Sequence, residues 1–301
     1  MSARELVVLG TASQAPTRTR SHVAAFLRFD DLGLLLDCGE GTQRQLLHAG
    51  VPASRIDRIC VTHAHGDHCL GLPGVLSRMV LDGLPGPVPL HCPASAVDRL
   101  SGLTGFATDG GPFAVDWQPA DESALQVAAR GPGWRLETLP LAHRVPTVGY
   151  RLVEDDGVRV LPERLAQLGI SGPDVGTLVN EGQLGGVRLA DVSEPRRGQR
   201  VAFVMDTELC DGAYALAEGA DLLAVEATFL HRDAALAREH RHLTGRQAAR
   251  LARECGVRRV VLLHVSRRYP DAAELAAEAG EEHGDVVVAE DLDVVPVPPR
   301  A

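Results

Sequence analysis

At 301 residues the chain can bury one large domain or two modest ones. Its composition, 45% apolar and 23% charged, is that of an ordinary soluble protein, and no run of 18 apolar residues offers a membrane span. A formal net charge of −10 argues against nonspecific nucleic-acid binding, although metal cations and a local arginine cluster can still receive a polyanion.

All 30 basic residues are arginine. The first residues lack the apolar stretch of a signal peptide, so the cytoplasm is the expected compartment. Six cysteines, with no Cys-x-x-Cys pair, read as reduced and mostly buried thiols. Cys69 adjoins a histidine-rich loop and is expected to pack behind it rather than to bind metal.

In chain order, Leu6–Leu9 reads as a strand, and 24–29 with 33–36 as a hairpin turned by Asp30-Asp31-Leu32-Gly33. Residues 41–49 suit a short helix, 58–61 a buried strand, 72–81 a helix and 88–92 a strand. Strands are also expected at 113–117, 134–139 and 148–153. From Glu154 to Arg200 periodicity weakens and glycines accumulate, a stretch too long for an ordinary connection. It reads as an excursion from one domain, with a little helix near 162–168. Alternation then resumes: strands at 201–205, 222–225, 260–263 and 285–289, helices at 212–217, 244–255 and 271–279. Thr244, with Gln247 three residues on, marks a helix start. The proline-rich end, 296–301, is expected to fray. Strands in both halves with intervening helices imply two packed sheets covered by helices, an α/β class.

The densest chemistry is Thr62-His63-Ala64-His65-Gly66-Asp67-His68, placed where a buried strand ends. Imidazole and carboxylate suit zinc and similar divalent metals. His143, Asp206 and His264 each follow an apolar run in the same manner. Together they suggest a converging two-metal site. The natural division places His63, His65 and His143 on one ion and Asp67, His68 and His264 on the other, with Asp206 bridging. Two ions about 3.5–4 Å apart can share a hydroxide and polarise one phosphoryl or carboxyl centre, which is hydrolytic chemistry.

This constellation resembles the metallo-β-lactamase fold family and, within it, the ribonuclease Z family of endonucleases that remove 3′ trailers from precursor tRNA. The resemblance rests on Asp37-Cys38-Gly39-Glu40-Gly41-Thr42-Gln43-Arg44-Gln45, the loop 62–68 with Gly71-Leu72-Pro73-Gly74, Ala142-His143, Met205-Asp206-Thr207, Glu226-Ala227-Thr228-Phe229, His242-Leu243-Thr244 and His264-Val265-Ser266-Arg267-Arg268-Tyr269. It runs from residue 5 to about 295.

The resemblance implies a single metallo-β-lactamase-like domain, an αβ/βα four-layer sandwich, with residues 154–200 as an inserted tRNA-gripping arm. Gly172-Pro173 falls at the family's arm element, whereas the following loop carries Glu181 where relatives often have lysines. It implies an endoribonuclease with two zinc ions per chain, though manganese or iron also suits these ligands. The products would be a tRNA 3′-hydroxyl and a 5′-phosphorylated trailer. Asp67 would also hold the attacking water. His242, oriented by Glu226, would assist the departing 3′ oxygen, while His240 is expected on the surface. Arg18, Arg20, Arg44 and Arg268 become RNA-contact candidates. Precursor tRNA is the implied partner, with no DNA and no membrane, and a homodimer is expected. Helix 72–81 is a candidate interface, although core packing explains its pattern equally. A dinuclear hydrolase of small phosphodiesters, sulfate esters or thioesters would show the same ligands. The arm and the Glu226–His242 pair favour the nuclease.

Overall fold

Alternation in the first strand sets the layers. In β1 (Arg4–Gly10), Leu6 and Val8 enter one apolar cluster while Val7 and Leu9 enter another, because successive side chains of a strand face opposite sides. The sheet is therefore covered on both faces. The computed structural model describes residues 4–108 and 114–300.

β1, β2 (Ala24–Phe29) and β3 (Leu32–Leu36) form an antiparallel meander. Asp30 takes a left-handed φ of 55° in its turn, a conformation that the short, locally hydrogen-bonding Asp side chain tolerates. β4 (Arg58–Cys60), β5 (Val88–Pro93) and β6 (Val115–Ala120) continue the sheet in parallel. Phe113, the expected start of that last strand, lies outside the described residues. β7 (Gln126–Gly131), β8 (Trp134–Leu141) and β9 (Thr147–Glu154) open a second sheet as an antiparallel meander.

Between β9 and the next sheet strand lies the excursion. It holds β10 (Gly157–Val160), β11 (Gln183–Leu184), β12 (Val187–Arg188) and β13 (Ser193–Arg196), with two short helices at Pro162–Gln167 and Pro173–Glu181. A small apolar cluster of its own, Leu165, Ile170, Leu178 and Val192, holds it together. The second of these helices was not expected from periodicity, because Leu178 is its only buried residue. Its ends carry the clearer signal: Pro173 in the first turn and Gly182 in the left-handed conformation just after the last.

The second sheet resumes with β14 (Arg200–Val204), antiparallel to β9, and continues in parallel through β15 (Leu222–Glu226), β16 (Arg259–Leu263) and β17 (Val286–Val288). Each sheet has seven strands. Leu6, Leu34, Tyr150, Phe203 and Val261 meet in the layer between the sheets. The helices Thr42–His48, Leu72–Leu81 and Val97–Thr108 contribute to the cluster on the outer face of the first sheet. Asp211–Ala217, Gly245–Glu254 and Ala273–Gly280 cover the second. The result is helix, sheet, sheet, helix, as the resemblance implied. Thr244 caps its helix with Gln247 in a reciprocal pair. Most apolar residues of Leu72–Leu81, including Val75, Leu76 and Met79, are spent on this core, whereas Leu81 is exposed.

The C-terminal tail is a correction. It is pinned rather than frayed. β18 (Val294–Pro296) pairs with β1, and the Val297 amide donates to the Arg4 carbonyl at 2.9 Å. The prolines lack N–H groups but still accept: Gln199 reaches the Pro298 carbonyl and Arg258 the Pro299 carbonyl. Arg300 then bonds Glu154 at 2.6 Å. Ala301 lies outside the described residues. The helix Val97–Thr108, the strand Gln126–Gly131 and the helix Ala234–His240 also escaped the sequence reading. No helix among the described residues is long and apolar enough to cross a membrane.

Candidate metal centre and active site

The loop after β4 is shaped by Asp37, which directly follows β3 and is fully buried at φ 54°. A non-glycine residue in that region is strained and must be held by its surroundings. Asp37 accepts from the Thr62 amide at 2.7 Å, from Thr62 Oγ1 and from His68 Nδ1 at 2.7 Å. Close backbone approach does the rest: a Cβ on Gly71 would sit 2.1 Å from the Gly39 carbonyl oxygen, so this crossing requires glycine. His264, at the end of β16, is the second buried non-glycine residue with positive φ, at 59°. Among the described residues the two buried non-glycine residues with positive φ, Asp37 and His264, both stand at this site.

The expected ligands converge in two sets. His63, His65, His143 and Asp206 offer ligand atoms all within 4.8 Å of one another, and so do Asp67, His68 and His264. Asp206 lies between them: its Oδ2 is 3.8 Å from His63 Nε2, 3.9 Å from His143 Nε2 and 3.4 Å from His68 Nε2, and its Oδ1 is 3.3 Å from His264 Nε2. Behind the centre, each of four imidazoles is tied through Nδ1. His63 meets Thr62 Oγ1, His68 meets Asp37, His143 meets the Arg241 carbonyl, and His264 meets Thr228 Oγ1. Each tie leaves Nε2 facing inward. His65 turns Nδ1 instead, 2.9 Å from His63 Nε2.

This arrangement fits divalent cations. Asp206 Oδ1 and His143 Nε2 are buried without a hydrogen-bond partner among the described residues, a costly state unless an ion meets them. Burial lowers His143 to about 4, favouring the neutral ligand form. Burial alone would raise the carboxyls of Asp67 and Asp206, but the surrounding imidazoles outweigh it and hold both well below their usual range. His68 is pushed up despite burial, because Asp206 and Asp37 demand positive charge between them. Cys69 is not in either set; its Sγ donates to the His65 carbonyl at 3.1 Å, packing behind the loop.

Glu226 ends β15 and is fully buried. It accepts from the Thr207 amide, Thr228 Oγ1, the Leu243 amide and His242 Nδ1, the last at 2.9 Å. Burial would lower His242, but Glu226 and then Asp206 raise it to about 9. His242 lines the same cleft as Asp67, Asp206 and His264.

That cleft has a volume of about 550 Å³ and is also lined by Arg144, Arg267, Arg268, Phe229 and His240. His240 is a correction: it is half-buried and stacked on Phe229, with ring planes 12° apart. Its helix, Ala234–His240, was not anticipated, so nothing in the sequence reading placed it here. Arg144, Arg267 and Phe229 were likewise missed as cleft residues. Their positions directly after His143, three after His264 and three after Glu226 were the available signal. Arg268 is exposed on the rim. Arg18 and Arg44 are exposed outside the cleft, on the first loop and the helix Thr42–His48. Arg20 is partly committed to the protein itself, bonding Thr11 Oγ1 and the Ala289 carbonyl. Gly172 and Pro173 are exposed at the start of the arm's second helix.

A fold of two facing sheets under helices, with histidines and aspartates gathered at strand ends, defines a metallo-hydrolase of the β-lactamase superfamily; residues 33–265 match the family model described as the beta-lactamase superfamily domain. The chain is 55% identical to a ribonuclease Z of Salinispora arenicola, over 100% of this chain and 98% of the relative. It is 54% identical to a ribonuclease Z of Streptomyces avermitilis, over 100% of both chains. Among solved structures it resembles human tRNase Z, short form, with a TM-score of 0.72 and 26% identity over 98% of this chain and 99% of that one. The chain belongs to the ribonuclease Z family.

Proposed function

We propose that the protein is a metal-dependent endoribonuclease that removes the 3′ trailer from precursor tRNA, leaving a tRNA 3′-hydroxyl and a 5′-phosphorylated trailer. The observation that carries this reading is the double ligand set sharing Asp206, with the Glu226–His242 pair beside it: His242 Nδ1 is 3.9 Å from Asp206 Oδ2. When bound, two cations, zinc in this reading, would neutralise charge on the scissile phosphate and lower the pKa of the attacking water. Asp67 orients that water by accepting its hydrogen bond. Glu226 holds His242 charged and aimed into the cleft. His242 then gives its proton to the departing 3′ oxygen, as a general acid suited to neutral pH. Arg144, Arg267 and Arg268 supply the positive lining that a phosphate chain needs.

Residues 154–200 act in this reading as an arm of a single hydrolase domain, gripping the folded body of the tRNA through the Gly172-Pro173 end. The working unit is a cytoplasmic homodimer, with RNA rather than DNA as its substrate. The direct test is cleavage of a precursor tRNA with both new ends mapped. Cleavage at the trailer junction with a 3′-hydroxyl supports the reading. Turnover of a small phosphodiester such as bis(p-nitrophenyl) phosphate, with the precursor left intact, overturns it in favour of a small-substrate hydrolase.

A further inference from the structure

Thr228 has one hydroxyl proton and three polar neighbours, the farthest being His242 Nδ1 at 3.4 Å. Its Oγ1 lies 2.6 Å from Glu226 Oε2 and 2.8 Å from His264 Nδ1, and the residue is buried. The shortest of these contacts is to a carboxylate oxygen, so the hydroxyl proton goes to Glu226. The oxygen must then accept from His264, which places that ring's proton on Nδ1. Nε2 is left bare, facing Asp67 Oδ2 at 3.4 Å and Asp206 Oδ1 at 3.3 Å. One hydroxyl thus sets a tautomer on one side and helps saturate Glu226 on the other.

The same wiring occurs across the centre. Thr62 Oγ1 bonds Asp37 at 2.9 Å and meets His63 Nδ1 at 3.0 Å, while Asp37 also takes His68 Nδ1. There, both imidazoles belong to the two ligand sets. On the Thr228 side only His264 does. The second imidazole held by the carboxylate is His242, which reaches into the cleft and lies within 4.8 Å of the ligand atoms of Asp206 and His264 without joining either set.

We propose that Thr228 is a positioning residue that fixes the His264 tautomer for one metal position and at the same time holds Glu226 in place for His242. This rests on the two-metal reading above. Partners of this kind typically change metal affinity about 10–100-fold when removed. Of the two ligand sets Thr228 touches His264 alone, at 2.8 Å, so the loss should be one-sided.

The test is zinc binding to metal-free protein, followed by competition with a chromogenic chelator, so no activity is needed. Thr228→Val keeps the shape and removes the hydroxyl; Thr228→Ser keeps the hydroxyl. In the valine variant one of two zinc equivalents should weaken about 10–100-fold while the other is unchanged. The serine variant should match wild type in both. A general packing defect would instead lower the thermal midpoint of the metal-free protein and weaken both equivalents together. Should the valine variant fail to fold, Thr228→Ala carries the same comparison. Two zinc equivalents bound as tightly by the valine or alanine variant as by wild type overturn the proposal and leave the two-metal reading standing. A wild-type chain that takes up no second equivalent overturns both.

Discussion

Glu226 Oε1 and His242 Nδ1 are 2.9 Å apart, and the carboxylate is also bound by two backbone amides and a threonine hydroxyl. So many donors hold Glu226 immobile, and it fixes the tilt of the imidazole and raises His242 to about 9. His242→Ala should therefore retain both metals and much of the tRNA binding while the chemical step slows. General acids contribute about 10²–10⁴-fold, and the loss should fall in that range. Single-turnover kinetics on matched RNA substrates check it. A substrate with a better leaving group should recover part of the lost rate in the variant; equal gains in variant and wild type would count against a proton-donor role.

Asp206 faces both ligand sets, one oxygen toward His63 and the other toward His264. Asp206→Ala should lower the bound-metal content below two equivalents and cut turnover by on the order of 10³-fold or more, since metal polarisation supplies several kcal/mol. Elemental analysis beside the cleavage assay checks both. Near-normal turnover would remove the bridge from the mechanism.

The arm's arginines are largely spent within it. Arg159 pairs with Glu194, Arg188 with Asp191, and Arg164 reaches the Asp191 carbonyl. Replacing residues 162–189 by a short linker should raise KM for precursor tRNA and leave hydrolysis of a small phosphodiester nearly unchanged, the signature of lost binding away from the chemistry. Because few free cations are removed, the slope of log KM against log salt should change by less than about one. A large drop in that slope would show that the arm's ion pairs open to engage phosphates.

Glu154 stands where the arm leaves the second sheet, and it gathers Arg4, Arg300 and the Gln199 amide. Burial would raise its carboxyl, but those donors lower it from 4.5 to about 2. A carboxyl depressed in the folded state adds stability above its ordinary pKa and loses it as pH falls through the folded value. Glu154→Gln should thus melt below wild type at neutral pH, with the gap closing between about pH 4.5 and 2. Thermal midpoints of the two proteins across that window check the sign. A gap that persists unchanged at pH 2.5 would mean that the carboxylate's charge contributes nothing.

The ligands were readable because their signals are local. His63, His65, Asp67 and His68 share one short loop, and His143, Asp206 and His264 each follow an apolar run that had to be a buried strand. Short apolar runs likewise announced most of the sheet strands, which are buried on both faces. Elements with weaker patterns escaped. Strand Gln126–Gly131 has no fully buried position, and the arm's second helix has only one. The tail misled because proline predicts poor donors, yet its carbonyls needed only donors from Gln199 and Arg258.

By itself, then, the sequence determined the layer order, the metal-binding chemistry and the family, since each follows from residue type and spacing within a few positions or from motif order. The tertiary structure alone decided what stands behind the ligands. Asp37, Thr228 and the Arg241 carbonyl are ordinary groups until folding brings them to an imidazole Nδ1. Arg144, His240 and Phe229 become the wall of a cleft in the same way. A hydrogen bond is decided by a few tenths of an ångström between residues distant in the chain, and no periodicity encodes that distance.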